Sequence, residues 1–438
     1  MKKLQTITLG CSKNKVDTEH ILSQVDHLYE IIPEGEDIPV DVILLNTCGF
    51  IGDAKEESVQ AVLDAVERKN SGLAQKVIVF GCLSQRYMNE LPDLIPEVDA
   101  WFGAREFDPV IKALGAEPDA AKRVERYLTT PSHYAYLKIS EGCDRRCSYC
   151  AIPFIRGAHK SVPMEDLVKE AEALAAKGVK ELIIIAQDTT YYGLDLYRRR
   201  ALAELLQKLS EVDGIEWIRI HYSYPAAFPE DVLDQMAQNP KVCRYMDIPL
   251  QHISDKVLDN MHRHVNGAWT RELIQKMREK VPGVVLRTTM IVGHPGEGKR
   301  DFEELLQFAS QARFERLGAF KYSEEEGTYG ADNFKDTISR RVKQERLDAL
   351  MTLQSEISLS FNQSRIGSEI DVIVDDFTDG VFVCRSEFES PEVDGEILVK
   401  YDAAVLGDVD PYSLIGEFIT VKVTGADEYD LIADIISI

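Results

Sequence analysis

Residues 137–150 read LKISEGCDRRCSYC, an apolar strand end that runs directly into three cysteines, Cys143, Cys147 and Cys150, spaced C-x3-C-x2-C. Zinc in a structural site takes four protein ligands, and no fourth Cys or His stands at the customary spacing. His159 is the nearest further candidate and reads as a solvent-facing loop residue. Three thiolates suit a cubane 4Fe-4S cluster instead, with one iron left free of protein ligands and open to substrate.

Downstream of this loop the chain alternates. Strand candidates at 134–139, 181–187, 216–222, 245–250, 284–292 and 316–322 are separated by helical patterns such as 165–177 and 301–313. Six βα units in about 200 residues predict a partial parallel barrel with its chemistry at the carboxyl ends of the strands. A long charged helix, 339–362, follows. Upstream, ITLG (7–10), DVILLNT (41–47) and KVIVFG (76–81) alternate with helical patterns at 16–28 and 53–69, which predicts a second, open parallel sheet. Cys11, Cys48 and Cys82 each follow one of these strands. Turns of that kind share the carboxyl edge of an open sheet, so three cysteines far apart in sequence can meet there. Single cysteines at strand ends are also ordinary buried residues.

The polar stretch GAEPDAAKRVERYLTT (115–130) reads as a linker. From about Ile366 five short alternating runs, EIDVIVDD, GVFVCRS, GEILVKYD, GEFITVKV and YDLIADII, predict a small all-β barrel. The expected fold class is therefore α/β, with an open-sheet domain at 1–118, a partial (β/α)6 barrel at 130–363 and the small barrel at 366–438. A length of 438 residues agrees with about three domains. With 50 basic and 74 acidic residues the net charge is −24, which excludes a broad grip on nucleic acid or anionic membrane and favours a basic partner. No apolar run approaches the roughly 20 residues of a membrane span, and the MKK start leads into a polar-interrupted strand, so a cytoplasmic protein without membrane contact is expected. Eight cysteines in that compartment point to metal or redox chemistry rather than disulfides.

With Tyr149 just before its third cysteine, the tight trio resembles the radical S-adenosylmethionine (SAM) superfamily. The resemblance implies that the open iron chelates the amino and carboxylate groups of SAM and that reductive cleavage gives a 5′-deoxyadenosyl radical, the barrel supplying positioning and exclusion of solvent. The segments LGCSKN, LNTCGF and FGCLSQ, all at strand ends ahead of that trio, resemble the methylthiotransferase family over the entire chain. What this implies is a methylthiotransferase N-terminal domain, a radical SAM core, a C-terminal TRAM domain, and a second 4Fe-4S cluster on Cys11, Cys48 and Cys82. LGCSKNKVDTE, SEGCDRRCSYCAIPFIRG, AQDTTYYG, DIPLQHIS and FKYSEEEGT are similar to the branch that modifies a ribosomal protein. That branch implies a post-translational methylthio transfer to the β-carbon of an aspartate in small-subunit ribosomal protein twelve. One SAM would donate the methyl group and another would be the radical source, with an electron donor and a sulfur donor as partners. Two alternatives stand beside it: a tRNA-adenosine methylthiotransferase, and an iron-sulfur binding module without catalysis, against which the open-iron spacing speaks.

Other motifs compete for attention. In IVGHPGEGKRD, Gly293 to Lys299 fits the G-x4-G-K of a phosphate-binding loop, yet Arg300 stands where the magnesium-ligating hydroxyl belongs. The radical SAM resemblance instead makes Gly293 and Glu297 SAM-pocket residues. Gln187 and Asp188 are placed to meet the SAM amino group, Asp188 reading equally well as a helix cap. Ser223, Gln251 and Arg287 are positional candidates for ribose, carboxylate or substrate, and no catalytic residue is expected beyond the cluster ligands. Tyr222, Tyr224, Phe228 and Tyr322 either wall the cavity or simply pack. Cys243 and Cys384 read as small buried hydrophobes. Residues 364–438 hold four basic against eighteen acidic residues, a net of −14. TRAM domains commonly bind RNA, but this one would repel phosphate, so tRNA is disfavoured and a basic ribosomal protein fits better. Acidity serving solubility alone is the other reading.

Overall fold

The chain folds around three sheets, described in a computed structural model over residues 1–437. Ile438, the last residue of the expected small barrel, lies outside the described residues. The first sheet holds β1 (Lys2–Thr8), β2 (Tyr29–Ile32), β3 (Val40–Thr47), β4 (Ala74–Gly81) and β5 (Ala100–Trp101), all parallel in the order β2-β1-β3-β4-β5. Strands β3 and β4 are nearly continuous apolar runs because both faces are covered. Ile43, Leu45, Val77 and Val79 pack under Val62 and Val66 of helix α2 (Gly52–Asn70). The alternate residues Val42, Leu44, Ile78 and Phe80 pack under Ile21, Leu22 and Val25 of helix α1 (Ser12–Val25). β1 begins five residues before the predicted run at 7–10, and the edge strands β2 and β5 are additions to it. Both edges are short, four and two residues, and carry too few apolar positions to stand out as periodic runs.

The second sheet is the partial (β/α)6 barrel: β6 (Tyr134–Lys138), β9 (Glu181–Ile185), β10 (Trp217–Ile220), β11 (Val242–Asp247), β12 (Val285–Val292) and β13 (Arg316–Lys321) run parallel in sequence order. A two-stranded ribbon, β7 (Ser140–Glu141) with β8 (Lys160–Ser161), brackets the loop that carries the tight cysteine trio. The helix Met164–Ala175 buries Met164, Leu167, Ala171 and Leu174 at helical spacing against the barrel.

Residues 115–130 are not a solvated linker. Arg126 is 1% exposed and bonds Glu19 of α1, Glu170 of the Met164–Ala175 helix and the Tyr136 carbonyl of β6. A buried guanidinium needs such partners, and here they bolt the first sheet to the barrel.

The third unit is a closed barrel, β14 (Glu369–Thr378), β15 (Val381–Arg385), β16 (Ile397–Lys400), β17 (Phe418–Ala426) and β18 (Leu431–Ser437), in the order β14-β15-β16-β18-β17. Its alternation is plain in β18, where Leu431, Ala433 and Ile435 point into the core and Ile432, Asp434 and Ile436 out. The loop 386–394 enters the open side of the large barrel: Ser390 meets His221 at 2.9 Å, Tyr245 donates to Asp394 at 2.6 Å and Tyr136 to Glu392 at 3.1 Å. Six of the acids counted for this unit, Asp375, Glu387, Glu389, Glu392, Asp394 and Glu417, are thus ion-paired with cations or a histidine of this same chain. The outward charge is correspondingly smaller than the raw count. Asp376, Asp379, Asp408, Asp427, Glu428 and Asp434 do face solvent without an ion-pair partner among the described residues.

Candidate active site

Strands β1, β3 and β4 are neighbours in register, with Thr8 opposite Asn46 and Thr47 opposite Gly81. Their carboxyl ends are level, so Cys11, Cys48 and Cys82 emerge side by side; Cys11 caps α1 and Cys82 opens the short helix α3 (Cys82–Arg86). Close approach requires Gly10. Its φ is +93°, and a Cβ there would lie 2.8 Å from the Cys48 Cβ and 2.9 Å from its sulfur. Asn14, fully buried, ties the three turns together by donating to the Leu9 carbonyl at 2.8 Å and by facing the Cys82 sulfur at 3.8 Å through its Oδ1. From the barrel side, Arg156 donates to the Cys82 sulfur at 3.2 Å and to Asp17 at 2.7 Å.

The tight trio is built by one loop. Gly142 has φ +78°, and a Cβ there would sit 2.2 Å from the Ala158 carbonyl oxygen, so the turn entering the trio demands glycine. Cys143 N–H donates to the Gly157 carbonyl and Cys150 N–H to the Cys147 carbonyl, both at 3.0 Å. Arg146 between them holds φ +52°, a conformation that costs a non-glycine residue about 1–2 kcal/mol. Arg263 reaches the Cys147 sulfur at 3.5 Å and the Tyr149 hydroxyl at 3.4 Å. Its guanidinium and that of Arg145 lie 4.2 and 4.1 Å from the ring centre of Tyr224.

All six cysteines line one cavity of about 360 Å³ between the first sheet and the barrel. Of the sequence candidates, Tyr149, Gln187, Ser223, Gln251 and Arg287 line it too, as do Tyr222 and Tyr224. Three candidates do not. The Asp188 carboxylate caps Thr190 at 3.0 Å and pairs with Arg145 at 2.6 Å, which makes it a structural cap. Glu297 accepts from the Gly293 and His294 amides at 2.5 and 3.2 Å and pairs with Arg346. Gly293 packs against the stem of Lys343. In the near-match to a phosphate loop, the protein's own carboxylate therefore occupies the amides that a phosphate would need. Phe228 belongs to the barrel core, and Tyr322 packs on His294. His159 is 8% exposed rather than solvent-facing, bonded to Ser161 at 3.0 Å. Cys243 and Cys384 are buried in other cores.

The donor set fits iron-sulfur clusters. All six thiols are free, and burial pushes the Cys143 thiol up to about 11 and that of Cys82 up to about 12, so a bound metal would be needed to hold them as thiolates. No group of three His, Cys, Asp or Glu side chains among the described residues converges tightly enough for a single metal ion. A cubane needs no such convergence, because its thiolates bind different irons. Two buried polar atoms on the barrel wall, Gln187 Oε1 and Ser223 Oγ, have no hydrogen-bond partner among the described residues. Gln187 is oriented by its 2.6 Å bond to Glu141, whose half-buried carboxyl is held down at about 2 by Lys138 and Arg156. Unpartnered acceptors of this kind suit a polar ligand such as SAM.

Lys13, Asn14, Arg156, Asp247 and Arg263 also line the cavity without having been singled out from sequence. Lys13, Asn14 and Arg156 stand inside the quoted cysteine segments, and Asp247 opens DIPLQHIS. Arg263 lies in no quoted motif.

An open parallel barrel with three cysteines after its first strand, closed over by a second cysteine-bearing sheet, defines a radical SAM protein of the methylthiotransferase type. Family models match in the same three places: Radical SAM superfamily at residues 137–309, Uncharacterized protein family UPF0004 at 3–103 and TRAM domain at 366–436. The ribosomal protein uS12 methylthiotransferase RimO of Phocaeicola vulgatus is 50% identical, covering 99% of both chains. Its namesakes from Bacteroides fragilis and Porphyromonas gingivalis are 48% and 50% identical at the same coverage. The chain belongs to the ribosomal protein uS12 methylthiotransferase family. Among solved structures, the radical SAM methyltransferase TsrM of Kitasatospora setae, with cobalamin and a 4Fe-4S cluster bound, superposes with TM-score 0.54 at 13% identity, over 92% of this chain and 83% of that one. The cobalamin-dependent radical enzyme OxsB gives 0.51 at 14%, over 80% and 56%. At such identity these show the fold alone.

Proposed function

We propose that this chain adds a methylthio group to the β-carbon of an aspartate in ribosomal protein uS12, using two 4Fe-4S clusters and SAM. The observation that carries this reading is the shared cavity: six free cysteines, from one loop and from three strand ends, face the same space. Cys143, Cys147 and Cys150 would hold one cluster and Cys11, Cys48 and Cys82 the other. When bound, these groups supply the electron, the radical source and the sulfur-carrying site. The protein's own contribution is charge and position. Arg263 and Arg156 each donate a hydrogen bond to a ligand sulfur, which offsets the negative charge of a cluster and tunes its potential. Gln187 Oε1 and Ser223 Oγ are the acceptors offered to SAM, and Arg287, aligned by Asp247 at 3.0 Å, adds a donor on the same wall.

The working units divide at 1–118, 130–363 and 366–438. The solvent-facing acids of the small barrel support a basic protein rather than tRNA as the partner, in the cytoplasm, with an electron donor and a sulfur donor. No helix among the described residues is long and apolar enough to cross a membrane. Mass spectrometry of uS12 incubated with the reconstituted enzyme, SAM, reductant and a sulfide source tests the reading. A methylthio increment on one aspartate is expected; an unmodified uS12 alongside a modified tRNA adenosine would overturn it.

A further inference from the structure

The cavity holds five cationic side chains, and four of them are already engaged. Arg145 pairs with Asp188, Arg156 with Asp17, and Arg287 with Asp247. Arg263 is occupied by the Pro249 carbonyl, Tyr149 and the Cys147 sulfur. Lys13 is the exception. It is 8% exposed and lines the cavity, and its ammonium makes no ion pair and no hydrogen bond, to oxygen or to sulfur, among the described residues. Its Nζ rests 3.0 Å from the ring centre of Tyr222. Tyr222 is itself held at φ +58° with its amide on Asp247 at 2.9 Å, so the surrounding structure enforces this placement at a backbone cost. The ammonium thus faces the cavity with only a π-face beside it, and an anion entering the cavity would give it the charged partner it lacks among the described residues.

We infer that Lys13 is the carboxylate-binding subsite for the side chain of the substrate aspartate, an inference that rests on the function proposed above. The SAM carboxylate is the other source of the same chemistry. Position favours the substrate: Lys13 leaves α1 two residues after Cys11 and its ammonium crosses to rest on Tyr222, so it bridges the two walls, whereas the groups suited to SAM, Gln187, Ser223 and Arg287, lie wholly on the barrel. A carboxylate held there would lie between the spread trio and the SAM groups.

The test uses cluster-loaded enzyme without reductant and calorimetry with uS12 carrying either the target aspartate or asparagine in its place. The intact enzyme should prefer the aspartate form by about tenfold or more, the size of one charge-assisted hydrogen bond. K13Q should abolish that preference while keeping its iron content, and K13R should restore most of it. Intact enzyme that binds both forms equally would overturn the inference without any variant. So would a K13Q variant that keeps the preference, that loses iron instead, or that weakens SAM binding while leaving the preference unchanged. Failure of the intact enzyme to form methylthio-aspartate would be a failure of the proposed function, read separately by mass spectrometry.

Discussion

The two cysteine trios face the same cavity but are made in opposite ways. Cys143, Cys147 and Cys150 lie within eight residues on one loop, and the turn that bends it is local: a left-handed Gly142, a strained Arg146 and amide bonds to Gly157 and Cys147. Cys11, Cys48 and Cys82 span 72 residues and converge only because β1, β3 and β4 pair in register and Asn14 clamps their ends. One site is a property of a segment, the other of a sheet. Both receive a buried guanidinium at sulfur, and both guanidiniums come from the barrel. Arg156 reaches across to the first sheet, whereas Arg263 stays within its own unit. On the proposed function, the support of the spread trio depends on docking of the two units, and that of the tight trio does not.

The largest separation should come from the ligands themselves. C147A and C48A should each lower reconstituted iron from about eight to about four per chain. C147A should abolish 5′-deoxyadenosine formation, while C48A should still cleave SAM and fail at methylthio transfer. Loss of all iron in either variant would show that the two sites do not fold independently. Next in size are the guanidiniums. R156M leaves Asp17 and Glu141 sharing Lys138 as their one remaining cation and strips Asn14 and the Cys82 sulfur of a donor; weakening a buried charge network from one side costs up to about 3–5 kcal/mol. R263M loses bonds to a carbonyl, a hydroxyl and sulfur, worth about 1–3 kcal/mol. Denaturant unfolding of the two variants checks the order, and an equal loss would remove the distinction between an interdomain and a local support. G10A is the most local change: a left-handed non-glycine residue costs about 1–2 kcal/mol, and the new methyl, 2.8 Å from the Cys48 Cβ, adds an overpacking cost of similar size. A drop in melting temperature with iron lost from the spread site only is the expected result, measured by calorimetry and by SAM cleavage that persists.

Much of this was legible in the chain. The six barrel strands, the α1 and α2 helices and the five runs of the small barrel follow from period and turn residues, which are local. Asp188 and Glu297 read as ligand groups because a carboxylate near a strand end satisfies a nearby amide as readily as a ligand, and only the fold shows which amide each one reaches. His159 and Arg126 read as surface residues because nothing local reveals the Asp195, Glu19 and Glu170 carboxylates that meet them.

The acidity of the small barrel shows the same limit. Its composition is fixed by sequence, yet burial of Glu389 between Arg316 and Arg365, against the solvent exposure of Asp427 and Glu428, depends on how the loop 386–394 docks.

By itself, the sequence determined which elements form and which cysteines stand at strand ends, because hydrophobic period, glycine turns and ligand spacing act over a few residues. The tertiary structure alone decided that both trios open into one cavity, that Arg156 and Arg263 meet sulfur, and that Lys13 has no anion beside it among the described residues. Those are pairings between groups distant in the chain, and a charge or a donor acquires its role from whatever the fold brings within a few ångströms of it.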